Sequence, residues 1–478
     1  MAGQPRDIRI AVEGGRDSFY DGGPSRRVQT RGGIRPSWGS MNQPVTEIQG
    51  FGYNRRWILF AAVSVLFGLS MFYRSAIAVL TTDLMRDVPM DMGALGLVSA
   101  SFFYTYALFQ IPGGLLLDRF SPAKVMAAFY LSALAGVILF SIADSPGVMV
   151  MGRLLMGAGM ACGFIGALKI ISLQFPPDRF ATLSGVVMSV GNMGIVVATT
   201  PLVLWAQALG WRATFLLVGL FHLAVTLAFV FAFRDRRGGG RDVQVPADAD
   251  WRAQIGGLRL VMRDRQAWLI SWSAFIRYGI LAAVQGLWAG PYLMDVMGLS
   301  PVAAGNLLFL LTLGVVIGNP VSGFLSDRVF RKRKGIMVTA LAGLSLTLAG
   351  LAYVPIGAPL WLLAALFAAF GVFAGTGSIP YAHLKELTPP NRSATALTAL
   401  NFFAIVGAGV FTQGLGHLMK ALYPASMLSR EAFVAMFVVC AAVMAVGAFL
   451  YALTRESASG IGAGGKSGNQ FHHKGANK

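Results

Sequence analysis

The sequence predicts an all-α membrane protein of about twelve transmembrane helices, built as two related halves. Three observations predict it. The 478 residues are 55% hydrophobic and only 13% charged, with a mean hydropathy of +0.63, whereas a soluble domain carries about 25% charged residues. Apolar stretches of about 20 residues, each able to cross a hydrocarbon layer of roughly 30 Å as a helix, recur along the chain. Finally, a Gly-x-x-x-Asp-Arg pattern at the end of the second stretch returns at the end of the eighth, the mark of a duplicated half.

The first half, 51–233, holds spans at Trp57–Leu80, Gly93–Leu117, Val125–Ala143, Gly147–Leu173, Ala181–Leu209 and Ala213–Phe233. The second, 267–455, holds Ala267–Met294, Val302–Leu325, Gly335–Val354, Leu360–Tyr381, Ala394–Leu418 and Ala432–Leu453. Residues 1–50 are rich in Gly, Arg, Ser and Pro with no apolar core, which predicts a disordered solvated arm and not a signal peptide. The tail 456–478 reads the same way, with His472 and His473 as linker-like residues. Between the halves, 234–266 predicts a linker whose second part sets Ile255, Leu258, Leu260, Val261 and Met262 among basic residues, the pattern of an interfacial helix on anionic lipid headgroups. The two cysteines, Cys162 and Cys440, fall in apolar spans and predict neither a disulfide nor a metal site.

Charge sets the orientation. The joints before the first span and after the even ones hold Arg55, Arg56, Arg119, Lys124, Arg179, Arg234, Arg328, Arg331, Lys332, Arg333, Lys334, Lys385 and Arg392. The others offer Arg86, Arg212, Lys420 and Arg430 beside Asp83, Asp87, Asp91, Asp144 and Asp295. That bias predicts cytoplasmic termini, and a bacterial inner membrane is the expected location. The net charge of +18 is then a consequence of topology and calls for no nucleic-acid partner. A monomer in the bilayer is expected.

The repeated motif comprises Gly114, Asp118 and Arg119 in one copy and Gly323, Asp327 and Arg328 in the other. Glycine would let helices approach closely, and an Asp at a helix end can pair with a neighbouring terminus or Arg when the halves close. On these residues the chain resembles the major facilitator superfamily, whose loop between the second and third helices reads G-x-x-x-D-R-x-G-R-K. Ser121 and Pro122 depart from it in the first copy. Arg153, Gly157 and Gly159 in RLLMGAG match the family's fourth-helix motif, whereas GVVMSVGNMGIVVATTPL lacks the antiporter motif of the fifth. The resemblance spans about residues 51–455. It implies two six-helix bundles about a cavity lined mainly by helices 1, 4, 7 and 10.

Two arginines inside apolar spans carry the functional reading. Arg74, in FYRSAIAVL of the first span, has its half-repeat counterpart in Arg277, in SAFIRYGIL of the seventh, with Tyr73 and Tyr278 adjoining them. Each guanidinium is penalised by roughly 2.5 to 3.5 kcal/mol in a membrane helix. Paired forks of permanent positive charge suit carboxylate or phosphate oxygens, while the bland alternatives are a buried partner or a snorkelling end. No acidic residue occupies the centre of a span. IRYGIL, SDRVFRKRKG and AHLKELTP are similar to segments of the organophosphate:phosphate antiporter branch, which includes the glycerol-3-phosphate transporter, and of the organic-anion symporters beside it. That resemblance implies substrate-anion binding at Arg74 and Arg277.

Lys169 is a third cation, for which snorkelling competes with ligand contact. Tyr106, Gln110, Asn192, Gln285, Asn306 and Asn401 are polar candidates that could line the site or bridge helices. His222 is a proton-coupling candidate, with packing as its alternative. The expected function is a secondary active transporter of a small organic or phosphorylated anion, working by exchange. Proton-coupled symport and a transport-inactive anion sensor are the alternatives. No cofactor, metal or catalytic constellation is expected, so the chain does not read as an enzyme.

Overall fold

The computed structural model describes residues 53–176, 179–234, 263–389, 393–424, 426 and 428–456. The arm 1–50, nearly all of the linker 234–266 and the tail beyond Glu456 lie outside the described residues. The first half comprises α1 (Tyr53–Ser75), α2 (Thr81–Asp87), α3 (Met92–Arg119), α4 (Pro122–Ser141), α5 (Pro146–Met160), α6 (Gly163–Gln174), α7 (Phe180–Val197), α8 (Thr200–Leu209) and α9 (Trp211–Arg234). The second comprises α10 (Arg265–Val296), α11 (Pro301–Val329), α12 (Arg333–Tyr353), α13 (Leu360–Ala374), α14 (Ile379–Leu387), α15 (Ser393–Leu422) and α16 (Arg430–Ala452). Among the described residues eleven helical spans are long and apolar enough to cross a membrane, and the bent pair α7–α8, taken as one span, makes a twelfth.

Local chemistry starts these helices where the polar residues are. Asp91, Asp264, Ser300 and Ser429 accept hydrogen bonds from first-turn amides of α3, α10, α11 and α16. Proline opens α4, α5 and α11 at positions that need no N–H. Gly210, at φ 78°, turns the chain from α8 into α9 through a backbone conformation that other residues adopt only under strain.

The duplication is visible in the packing. α1 lies on α7, α3 on α5 and α4 on α9; the counterparts α10 on α15, α11 on α13 and α12 on α16 repeat all three pairings. Glycines permit the close ones. Gly157 faces the backbone of Phe102 and Gly159 that of Phe129 and Ala133, so a side chain at either would collide with main chain.

Several spans differ from expectation. The first helix ends at Ser75, not Leu80, and a turn leads to the short α2. The fourth span breaks at Ala161–Cys162, the fifth bends by 46°, and the tenth is interrupted at residues 375–378. The seventh contains π-helical turns at Val284–Trp288 and Tyr292–Val296. In each case the apolar run continues through a local change in helical geometry, which hydropathy cannot register.

The chain enters and leaves both bundles at one face, here termed the basic face. Arg55 on α1 binds the Ala232 carbonyl at the far end of α9. Glu456, just past α16, accepts from the Arg333 amide at 2.6 Å. At the opposite face the bundles are joined to each other. Asp91 pairs with Lys420 at 2.6 Å, Thr200 donates to Asn306 at 2.7 Å, and the Ala78 carbonyl presses on Gly290. Deeper in, Tyr104 of α3 donates to Gln413 of α15 at 2.7 Å.

Candidate functional site

Arg74 sits one residue before the end of α1, yet it does not snorkel. It is only 6% exposed, and its guanidinium lies 4.1 Å from the ring centroid of Tyr106 and 5.9 Å from that of Phe102, both on α3. Two aromatic faces offer a buried cation electrostatic attraction but no hydrogen-bond acceptor. Nη1 reaches across to the second bundle, donating to the Tyr278 hydroxyl at 3.4 Å. Nε and Nη2 are buried without a partner.

Arg277, 4% exposed on α10, is held differently. Its Nη1 donates to the Ala374 carbonyl at 2.9 Å, where α13 stops, while its Nε has no partner. Ion pairs among the described residues run Arg86 to Asp83 and Asp87, Arg212 to Asp87, Arg333 to Asp327 and Glu386, and Lys420 to Asp91. None of them includes Arg74 or Arg277. Two permanent charges are therefore buried with unused donors and no counter-charge among the described residues. Left alone, that arrangement is costly, because desolvation is uncompensated. What it can do chemically is hold an anion.

The remaining candidates divide. Tyr278 and Tyr106 belong with Arg74. Tyr73 does not: it is fully buried and faces the first bundle's interior, its hydroxyl 3.4 Å from Nδ1 of His222. Adjacent residues on a helix point about 100° apart, so sequence adjacency to Arg74 did not imply a shared face. His222 is wholly buried there beside Tyr130, apart from both arginines, with its Nε2 unpartnered. Gln285 donates to Thr312 at 3.0 Å, and Asn401 accepts from Tyr381 at 2.9 Å, both within the second bundle. Asn306 belongs to the closure at the opposite face. Gln110 on α3 has a buried, unpartnered Oε1, while Asn192 on α7 and Lys169 on α6 are half-buried.

Arg153 has a structural role. Fully buried, it donates to the carbonyls of Tyr73 at 2.5 Å, Val98 at 3.3 Å and Ser99 at 3.3 Å, tying α5 to α1 and α3. The loop motif departs from expectation at its glycines. A side chain at Gly114 or Gly323 would meet nothing within 4 Å, so neither marks a close helix approach in this conformation. The Asp118 side chain lies outside the described residues, and Arg119 is exposed beside Phe120. In the second copy Arg328 is exposed, whereas Arg333 bonds Asp327 and also Glu386 of α14 at 2.8 Å.

Sequence reading passed over three groups at Arg277: the Ala374 carbonyl, Gly377 and Asn319. The signal was available in GTGSIP, where two glycines and a proline interrupt an apolar run. A separate apolar groove of about 430 Å³, bordered by Gly68, Phe72, Met193, Trp205 and Phe221, faces outward between α1 and α7–α9 and contains no charged residue. It is unsuited to an anion.

Comparison with known proteins agrees with this architecture. The chain matches the Major Facilitator Superfamily over residues 58–288 and 274–473. It is 25% identical over 313 residues to a probable sulfoacetate transporter, SauU, of Cupriavidus necator, covering 62% of this chain and 70% of the relative. It is 28% identical over 369 residues to the nitrite extrusion protein of Bacillus subtilis, covering 75% and 88%. A bacterial homologue of the human lysosomal transporter Spinster, solved inward-facing and unoccupied, superposes with a TM-score of 0.67 at 18% identity over 84% of this chain and 97% of that one. With two matched six-helix bundles and a family match across both, the chain belongs to the Major Facilitator Superfamily, a family of membrane transport proteins and not of enzymes.

Proposed function

We propose that the protein moves a small organic or phosphorylated anion by alternating access, with Arg74 and Arg277 as the anion clamp and exchange of one anion for another as the driving mode. One observation carries the reading. Each bundle contributes a buried guanidinium with unused donors, and no described carboxylate neutralises either. An empty carrier with two uncompensated charges would be reluctant to reorient, whereas an anion bound between the bundles removes that barrier. The names of two relatives, a probable sulfoacetate transporter and a nitrite extrusion protein, support an anionic cargo. The Lys/Arg bias supports a cytoplasmic basic face in a bacterial inner membrane. On that orientation the described conformation is closed toward the outside.

The test is ligand stabilisation of the purified protein. Phosphate, glycerol 3-phosphate, and mono- and dicarboxylates should include compounds that raise the melting temperature with the logarithm of their concentration, while amines and neutral sugars should not. The rise should disappear in Arg74→Gln and in Arg277→Gln. Stabilisation by cations, or anion stabilisation that survives both substitutions, would overturn the clamp.

A further inference from the structure

The two parts of the tenth span do not meet as one helix. α13 stops at Ala374, the Gly375 amide makes its last bonds back to the Gly371 and Val372 carbonyls, and Thr376, Gly377 and Ser378 turn before α14 begins at Ile379. Arg277 lies against both ends. Its Nη1 binds the Ala374 carbonyl, the partially negative terminus of α13. Its Nη2 lies beside Gly377, 3.5 Å from where a Cβ on that glycine would sit. Only Nη1 has an acceptor among the described residues. The amides of Gly377 and Ser378, which lead into the first turn of the nine-residue α14, have no backbone acceptor among the described residues.

A third group completes the surround. Asn319 of α11 donates through Nδ2 to the Val315 carbonyl at 3.2 Å. A carbonyl oxygen can only accept, so this bond holds the amide with Oδ1 facing away, 3.5 Å from the same Cβ position at Gly377. Gly377 does not have the positive φ that would require glycine. A methyl group there would make only ordinary contacts of 3.5 to 4.0 Å. What glycine supplies is space between a forked cationic donor, backbone donors and one fixed acceptor.

A simple anion would use the donors and leave Asn319 Oδ1 facing negative charge. We propose that this break is a subsite for a 2-hydroxy carboxylate. The carboxylate binds Arg277 and the amides leading α14, and the hydroxyl on the neighbouring carbon donates to Asn319 Oδ1. The inference rests on Arg277 as the anion clamp and names the chemical class that the clamp prefers.

Binding of glycolate and lactate would be compared with that of acetate and propionate, acids of equal charge, by thermal stabilisation of the full-length protein in detergent. The hydroxy acids should bind about tenfold more tightly, the worth of one satisfied hydrogen bond. Asn319→Leu should erase that difference while retaining acid binding. Gly377→Ala should weaken both kinds of acid by tenfold or more without lowering the melting temperature of the ligand-free protein, which keeps the test informative should Asn319→Leu fail to fold. Equal binding of glycolate and acetate, both lost in Arg277→Gln, would overturn the hydroxy-acid subsite and leave the clamp standing. Failure of every carboxylate and phosphate to bind would overturn both, and Gly377→Ala binding like the native protein would remove the helix break from the site.

Discussion

Replacing Arg277 with lysine separates charge from geometry. Both side chains are cationic, but the guanidinium divides its donors between the Ala374 carbonyl, 2.9 Å away, and the space beside Gly377. An ammonium on a flexible stem makes a single point contact and must favour one of the two. Arg277→Lys therefore loses at least one charge-assisted hydrogen bond in a site only 4% exposed, worth about 1.5 to 3 kcal/mol. That corresponds to roughly ten- to hundredfold weaker anion binding. Dissociation constants from ligand stabilisation, together with uptake rates in proteoliposomes, would measure it. The melting temperature of the ligand-free variant is the control for folding. Unchanged binding in a stable Arg277→Lys protein would refute the argument that the planar fork, rather than charge alone, is what the site requires.

Other perturbations test the moving parts. Asp327→Asn removes one of the two carboxylate partners of Arg333, which keeps Glu386, so conformational exchange should slow with little change in anion affinity; lost affinity at normal turnover would reverse that assignment. Gly290→Leu inserts bulk against the Ala78 carbonyl where the bundles meet at the opposite face, and a thiol introduced at Gln413 should become more reactive as that face opens; unchanged reactivity would contradict the closure. The Lys420 ammonium, hydrogen-bonded to Asp91, holds that carboxyl below its ordinary value. A depressed carboxylate contributes fully above its ordinary pKa of about 3.9 and loses its contribution as pH falls through the lowered one, so this latch should not respond to pH between about 5 and 8. Loss of closure within that window would point to another titrating group.

Much of the architecture was legible because the bilayer imposes it. Backbone satisfaction in hydrocarbon demands helices, and their apolar length shows in composition, so the spans and their duplication could be read directly. Arg74 and Arg277 stood out for the same reason, since a guanidinium in an apolar run is a conspicuous exception. Details that depend on rotation about a helix axis were not legible. Tyr73 and Tyr278 both adjoin an arginine in sequence, yet one turns inward to His222 and the other bridges the bundles. Breaks were hidden from hydropathy alone, because GTGS at residues 375–378 lies within one long apolar span, although its glycines and the following Pro380 carry a turn signal. Partners such as Asp91 and Lys420, 329 positions apart, exist only once two halves pack.

The central claim, a paired-arginine carrier that exchanges anions, is tested most directly by counterflow. Purified protein in liposomes would be offered the labelled form of the anion that stabilises it most, with the vesicles either preloaded with unlabelled anion or empty and under a pH gradient. Rapid uptake is expected only into preloaded vesicles, because a bound anion compensates the two guanidiniums during reorientation. Robust accumulation driven by pH into empty vesicles would contradict exchange, and its loss in His222→Ala would transfer the coupling role to the buried histidine.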